Sequence, residues 1–513
     1  MATEDAASET GAGVGPQTPA ARQRADSAVP EDPSLEPAPL DESAEGVETH
    51  GGSAQASAGS GAASPRGPAP SSKPGSRPAS TPGSRPTWTR ERAAALLALG
   101  SAAGVLMFVV LSLGSPGPRV GAGPADFGAT ASRLVVAPGG WIALTGSDGP
   151  EGIRLVLETR TQHGRWRTAG TSSTDQDGDF HLEGRVLARP GRLIVRARAP
   201  GVGTSVPVAV TVRPLRLASV GDINLGDAPG EAIAANDPRY PWTSVGNSLR
   251  RADIAFGNLE CAVSTRGEPF PKQFNFRGSP EALQGLRHHS GIDVLNLANN
   301  HVGDFGAEAT VDTVRAVERL GMRAVGAGPD LRRALAPQVV ERLGLRVAFV
   351  GFSSIAPLEF AAGDESPGTA WASPESVAEA VRAARRRADV VVATFHWGIE
   401  KAAFESAEQR VLAQAAAAAG AQLVIGAHPH VLQPLRRGGA ALVAYSLGNF
   451  VFGAASTDTT ATGILEADLT ADGVGAARWR AGRIVSARPL LDSKRPRRLP
   501  VRDHEAMAAG VSL

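Results

Sequence analysis

Five short apolar runs, spread over about two hundred positions, each finish in Asp, Glu, Asn or His. Leu215-Arg216-Leu217-Ala218-Ser219-Val220 runs into Gly221-Asp222-Ile223-Asn224, and Ile254-Ala255-Phe256 into Gly257-Asn258-Leu259-Glu260. Asp293-Val294-Leu295-Asn296-Leu297 leads to Ala298-Asn299-Asn300-His301, and Asp389 to Phe395 leads to His396-Trp397-Gly398. Leu423-Val424-Ile425 ends at Gly426-Ala427-His428-Pro429-His430. Such runs read as buried strands. Amphipathic helices are predicted between them, at Ala307 to Leu320 and Glu375 to Arg387, so strand and helix alternate. That alternation predicts an α/β domain whose ligands gather at strand ends.

The residue types narrow the chemistry. Taken singly, Asp222 reads as a turn residue, Glu260 as a surface carboxylate, Asn300 as a helix cap and His396 as an imidazole packed against Trp397. Taken together, oxygen and imidazole donors with no thiolate suit hard or borderline divalent cations such as Mn²⁺, Fe²⁺ or Zn²⁺. No Gly-X-Ser-X-Gly elbow is present for a serine nucleophile. Neither a Walker loop nor a Gly-X-Gly-X-X-Gly turn opens a helix where a nucleotide fold needs it. With 52 Lys and Arg against 51 Asp and Glu, the net charge of +1 gives no electrostatic case for nucleic acid. The single cysteine, Cys261, excludes an intramolecular disulfide framework.

The rest of the 513 residues divides by composition. Residues 1–90 are Ala, Ser, Gly, Pro and charge, too poor in large apolar side chains to offset chain entropy, and are expected to be a disordered tail. Residues 93–113 carry no charge and would span about 32 Å as a helix, close to the thickness of a bilayer core. Arginines crowd its N-terminal side and Arg119 alone follows closely, so the positive-inside rule puts the tail in the cytoplasm and everything after it outside the cell. Residues 129–213 alternate in short runs broken by Asp177-Gly178 and Pro190-Gly191, the pattern of a small antiparallel β-sandwich. This stretch resembles bacterial immunoglobulin-like modules around Trp166 and Asp177-Gly178-Asp179-Phe180, and its expected role is to space the next domain from the membrane, with polymer binding, assigned to no residue, as the alternative. Residues 215–490 form the α/β domain, with closing strands at Thr462 to Leu469 and Ala477 to Leu490, and 491–513 a tail containing a basic run.

Asp222, Asn258-Leu259-Glu260, Leu297-Ala298-Asn299-Asn300-His301, His396-Trp397-Gly398-Ile399-Glu400, Gly426-Ala427-His428-Pro429-His430 and Tyr445-Ser446-Leu447-Gly448-Asn449-Phe450 resemble the bacterial capsule-synthesis CapA family. The resemblance covers about Leu215 to Phe452, in family order. It implies a calcineurin-like metallophosphoesterase architecture, two packed sheets flanked by helices with metals at the strand ends, and a part in poly-γ-glutamate capsule assembly. Carried over residue by residue, it implies two divalent ions, one held by Asp222 and His430, the other by Asn300, His396 and His428, with Glu260 bridging. His301 becomes the general acid or oxyanion stabiliser. The superfamily often has Asp-X-His at the first strand; here Asn224 takes the second position, a weaker ligand that puts two-metal catalysis in question. Arg277 is a candidate grip for a carboxylate or phosphate, with an ordinary surface arginine as the alternative, and Glu400 and Asn449 are candidate pocket residues. Two functions follow as expectations: a membrane-anchored, extracytoplasmic metalloenzyme acting on an envelope polymer or its precursor, or a non-catalytic subunit of a capsule synthesis or export complex that keeps the fold.

Overall fold

A computed structural model describes residues 127–147, 151–355, 357–438, 441–454, 456–493 and 497–499. The expected tail and membrane helix lie outside them; among the described residues no helix is long and apolar enough to cross a membrane.

The first part is all β. Strands Thr130–Ala131, Trp141–Gly146 and Phe180–Arg185 form one sheet. A second sheet has the order Val135–Val136, Val208–Val212, Gly191–Ala199, Arg154–Thr161 and Arg167–Ser173, with Gly203–Thr204 alongside Gly191–Ala199. Side chains alternate across a strand, so every second residue of Gly191–Ala199 (Leu193, Val195, Ala197, Ala199) is buried. They share one core with Ile142, Leu144 and Leu182 of the smaller sheet.

The second part is α/β. Parallel strands Arg323–Val325, Val294–Asn296, Ile254–Leu259 and Leu215–Ile223 lie in that order, and the sheet continues antiparallel through Ala461–Thr470, Gly473–Val485 and Arg488–Leu491. Arg497–Leu499, inside the expected tail, also pairs with Gly473–Val485. A six-stranded sheet has the order Gln338–Arg342, Leu345–Ser353, Val390–His396, Leu423–Ala427, Ala441–Ala444 and Leu435–Gly438, with its four central strands parallel. These strands are near-continuous Val, Ile, Leu and Phe because both their faces are covered. One set of side chains, including Leu217, Phe256 and Val325 from the first sheet and Phe349, Val392 and Ile425 from the second, forms a shared core. The Phe256 and Phe349 rings stack across it, 6.0 Å apart. Helices Pro280–Ser290 and Gly306–Arg319 pack on the far face of the first sheet, and Pro374–Arg385 and Ala407–Ala419 on the far face of the second. Each of these helices except Gly306–Arg319 opens on a serine whose hydroxyl accepts a backbone N–H.

The two parts are joined by more than the chain. Ala137 N donates to Leu343 O and Trp141 N to Gly344 O, each at 2.8 Å, and Ala471 N donates to Pro138 O. Asp389, whose side chain is 3% exposed, sits beneath this joint with Oδ1 2.5 Å from Arg185 Nη2 and Oδ2 accepting Arg346 N at 2.9 Å. Burial alone would raise the Asp389 pKa, but those donors outweigh it and hold the group below its ordinary 3.8. A depressed carboxylate pKa adds stability that is present above 3.8 and is lost as pH falls through the folded value. Asp389→Asn should therefore cost about 1–3 kcal/mol at neutral pH. In thermal melts, its deficit against wild type should shrink below about pH 4; a deficit that does not change with pH would contradict this.

Candidate metal centre

Parallel strands deliver their C-terminal ends to one edge, and here two sheets do so side by side. Asp222 lies near the end of Leu215–Ile223, and Glu260 follows Ile254–Leu259 directly. Asn300 and His301 follow Val294–Asn296 across a short turn in which Asn299 Oδ1 accepts the His301 and Val302 N–H groups. From the other sheet His396 is the last residue of Val390–His396, and His428 comes immediately after Leu423–Ala427. His428 and His430 take positive φ, 93° and 58°, on either side of Pro429. Such backbone costs about 1–3 kcal/mol per residue. It turns both rings toward the junction of the sheets, where His428 N lies 3.3 Å from Asp222 Oδ2.

The donor atoms face each other in two sets. His396 Nε2 is 2.8 Å from Asn300 Oδ1, 3.2 Å from His428 Nδ1 and 3.6 Å from Glu260 Oε1. His430 Nε2 is 3.6 Å from Glu260 Oε1, while its Nδ1 is 3.3 Å from Asp222 Oδ2 and 2.9 Å from Asn449 Oδ1. Ligand atoms of Asp222, Glu260 and His396 all lie within 4.8 Å of one another, as do those of Glu260, His428 and His430. Glu260 belongs to both sets.

Glu260 is fully buried, and neither carboxyl oxygen has a hydrogen-bond partner. Burial, and then the Asp222 charge, push its pKa well above the usual carboxylate range. Burial also lowers the His396 pKa far below that of a free imidazole and brings His428 down to about 3. Both rings are thus neutral at physiological pH, with lone pairs free to ligate. His430 goes the other way: burial lowers it, but the Asp222 and Asn449 hydrogen bonds and the Asp222 charge raise it further. A buried carboxylate facing neutral imidazoles without a hydrogen-bond donor is costly unless a cation completes it. The residues therefore fit a divalent cation held by oxygen and nitrogen.

His301, expected as a proton donor, presents Nε2 to this cluster 4.0 Å from Glu260 Oε1. Its other nitrogen is 2.7 Å from Asp304 Oδ2, and its ring stacks on Phe276 with centroids 4.1 Å apart. Asn224 is buried, but its Oδ1 accepts Gly226 N at 2.8 Å and its Nδ2 has no partner, so it closes the turn after the first strand. Glu400 is exposed, yet near enough that its charge raises the pKa values of Glu260 and His430. Asn449 holds His430 from one side while donating from Nδ2 to Thr459 O at 3.1 Å. Arg277 is committed elsewhere: Nη2 donates to Gly267 O at 2.7 Å, and the guanidinium lies 3.6 Å from the Phe305 ring centroid.

Comparison with known proteins agrees with the sequence motifs. Residues 216–454 match the family described as bacterial capsule synthesis protein PGA_cap. The PGA biosynthesis protein CapA of Bacillus subtilis is 31% identical over 261 residues, which cover 50% of this chain and 68% of that protein. The chain belongs to the PGA_cap family. The capsule biosynthesis protein CapA of Bacillus anthracis is 32% identical across 50% of this chain and 65% of its own length, so the chain spans about two thirds of each Bacillus relative. A probable polyglutamine synthesis accessory protein of Mycobacterium tuberculosis is 34% identical over 32% of this chain and 46% of that one.

Within this PGA_cap member, two residues near His301 escape motif reading. Lys272 Nζ is 2.6 Å from Asp304 Oδ1 and 3.2 Å from His301 Nδ1, and also donates to Asn300 O. Asp304, three residues after His301, had a usable signal in that spacing; Lys272 had none, because a loop brings it in from 29 positions away. Asn258 was visible only as part of a motif, yet its Nδ2 donates to Asp222 Oδ1 at 2.8 Å and its Oδ1 accepts from Asn296 at 2.9 Å, which locks the carboxylate in place.

Because burial and the Asp222 charge penalise a charge at Glu260, Glu260→Gln should raise the melting temperature of the chelator-treated protein by about 2–4 °C for each kcal/mol relieved. The same variant should lose most of the stabilisation that Mn²⁺ gives wild type. Paired melts with EDTA and with Mn²⁺ check both; a lower melting temperature for the variant in EDTA would reject the assignment.

Proposed function

We propose that the chain is a membrane-anchored, extracytoplasmic, metal-dependent hydrolase of calcineurin-like architecture. It acts in the synthesis of poly-γ-glutamate or another envelope polymer, on the polymer or a phosphorylated or amide-linked precursor. The observation that carries this reading is Glu260, fully buried with both oxygens unpartnered between two groups of imidazoles. The printed names of the Bacillus and mycobacterial relatives support the polymer side of it. Asp222, Glu260 and His430 would hold one cation and Glu260, Asn300, His396 and His428 a second, with Mn, Fe or Zn suited to the donors. The anchor is residues 93–113 and the β-rich part, residues 129–213, is an immunoglobulin-like spacer on the outer side.

When bound, such ions supply Lewis acidity and a water of lowered pKa. The chain's own residues do the rest. His301 directs Nε2 at the cluster and, in its imidazolium form, which burial disfavours by lowering the pKa and Asp304 favours, would deliver the Nε2 proton to the leaving oxygen. Asp304 fixes the ring through Nδ1, and Lys272 bonds both Asp304 and the Asn300 carbonyl, so its loop braces the turn that carries the ligand and the proton donor side by side.

Full-length protein should hydrolyse a phosphodiester or phosphomonoester in the presence of Mn²⁺. His301→Ala should lower the rate by about 10²–10⁴ with its metal content intact. His428→Ala should lose both metal and activity. Asn224, whose oxygen is spent on Gly226 rather than on the cluster, favours a second reading, a tethering or export subunit that keeps the metal for stability. A metal-loaded protein inert on phosphoesters, with a His301→Ala variant that still supports envelope assembly, would select that reading.

A further inference from the structure

The outward face of the larger β-sheet is a field of arginines. Cross-strand neighbours share a face, and the pairs Val156 with Arg198, Glu158 with Arg196, Arg160 with Ile194 and Arg192 with Thr211 place four arginines opposite the core-facing Leu155, Leu157, Leu193 and Val195. Arg154, one step before core-facing Leu155, joins them. Glu158 is the one acidic residue in the strands Arg154–Thr161, Arg167–Ser173, Gly191–Ala199 and Val208–Val212. Alternate residues of one strand recur about every 6.5–7 Å, so Arg196 and Arg198 are successive cationic steps on one strand.

That face already shows how it holds a carboxylate. Glu158 Oε2 accepts from Arg196 Nε at 2.9 Å and Nη2 at 2.8 Å, while Oε1 accepts from Arg198 Nε at 2.6 Å. Arg154 and Arg192 are exposed, and among the described residues no acidic side chain is bonded to them or to Arg160. Trp166 packs against both Arg160 and Arg196, whose guanidinium carbons are 4.6 and 3.9 Å from its ring. The indole is thus engaged by cations of this same face rather than standing alone as a stacking platform of the kind single-stranded nucleic acid uses. None of the large exposed apolar side chains falls on these strands, which leaves a bilayer nothing to receive.

We propose that this face binds a linear polycarboxylate, whose pendant carboxylates are taken along its length by Arg154, Arg160 and Arg192 and the neighbouring arginine rungs. The β-rich part is then a polymer guide as well as a spacer. Naming a polycarboxylate rests on the envelope-polymer reading above, but the binding is independent of the metal centre.

Fluorescence anisotropy of labelled poly-γ-glutamate against the full-length protein, in EDTA throughout, tests it. Binding should weaken with salt. The triple variant Arg154→Gln/Arg160→Gln/Arg192→Gln should lose about tenfold or more in affinity, since guanidinium–carboxylate contacts are charge-assisted. A control variant that removes three exposed arginines of the α/β part, Arg319→Gln/Arg323→Gln/Arg332→Gln, should bind within about twofold of wild type. Melting curves of both variants confirm that the fold is kept. Polyglutamate affinity unchanged by the triple substitution overturns the proposal, as does tighter binding of anionic-lipid vesicles, polyphosphate or single-stranded DNA through the same arginines. Because EDTA disables the metal centre, a failed hydrolysis assay leaves this result untouched, and failed polymer binding leaves the hydrolase reading untouched.

Discussion

The burial of Glu260 at the junction of two sheets is the constraint around which the rest is arranged. A carboxylate with both oxygens out of water and no hydrogen-bond donor is among the costliest groups a fold can carry. The structure sets beside it His396 and His428, which the same burial keeps neutral, and Asp222, whose charge makes matters worse. An arrangement of oxygen and nitrogen donors that is unfavourable by itself differs from a packed core and suits a divalent cation. The positive φ angles at His428 and His430 carry the same signature, since strain of that kind persists where surrounding structure holds it for a purpose.

Holding those donors still requires rigid supports, and the packing supplies them. Phe256 and Phe349 stack between the sheets, so the strands ending at Glu260 and at Ser353 share one wall of the core. Asn258 and Asn296 link three neighbouring strands beneath Asp222, and Trp397 Nε1 donates to Tyr445 O behind His428. His301 is fixed by a stack on Phe276 and by Asp304, itself paired with Lys272. The joint at Asp389 links these supports to the β-rich part, so the arginine face and the donor cluster belong to one connected body.

Much of the cluster was legible because strand ends are local. A run of apolar residues followed by Asp222, Glu260, His396 or His428 says both that a strand stops and that a polar group stands at its stop. The side chains that reach the cluster across loops were harder to read. Arg277 looked like a substrate grip from its neighbours in sequence, but the turn at Gly267 and the ring of Phe305 engage its guanidinium. Lys272, with no motif around it, is the cation that stands beside His301. Asn224 illustrates the same limit: its position in the motif suggested a ligand, while its local turn claimed the oxygen.

The amino-acid sequence by itself determined the order of strands and helices, the all-β character of residues 129–213, and the set of oxygen and nitrogen donors, because periodicity and residue chemistry act over a few positions at a time. Only the tertiary structure decided that both sheets end at one edge, that Glu260 is common to two donor sets, and that arginines from separate strands share one outward face. Those facts depend on pairing and register between segments up to two hundred positions apart, where the free energy of packing, rather than any local preference, chooses which side chains meet.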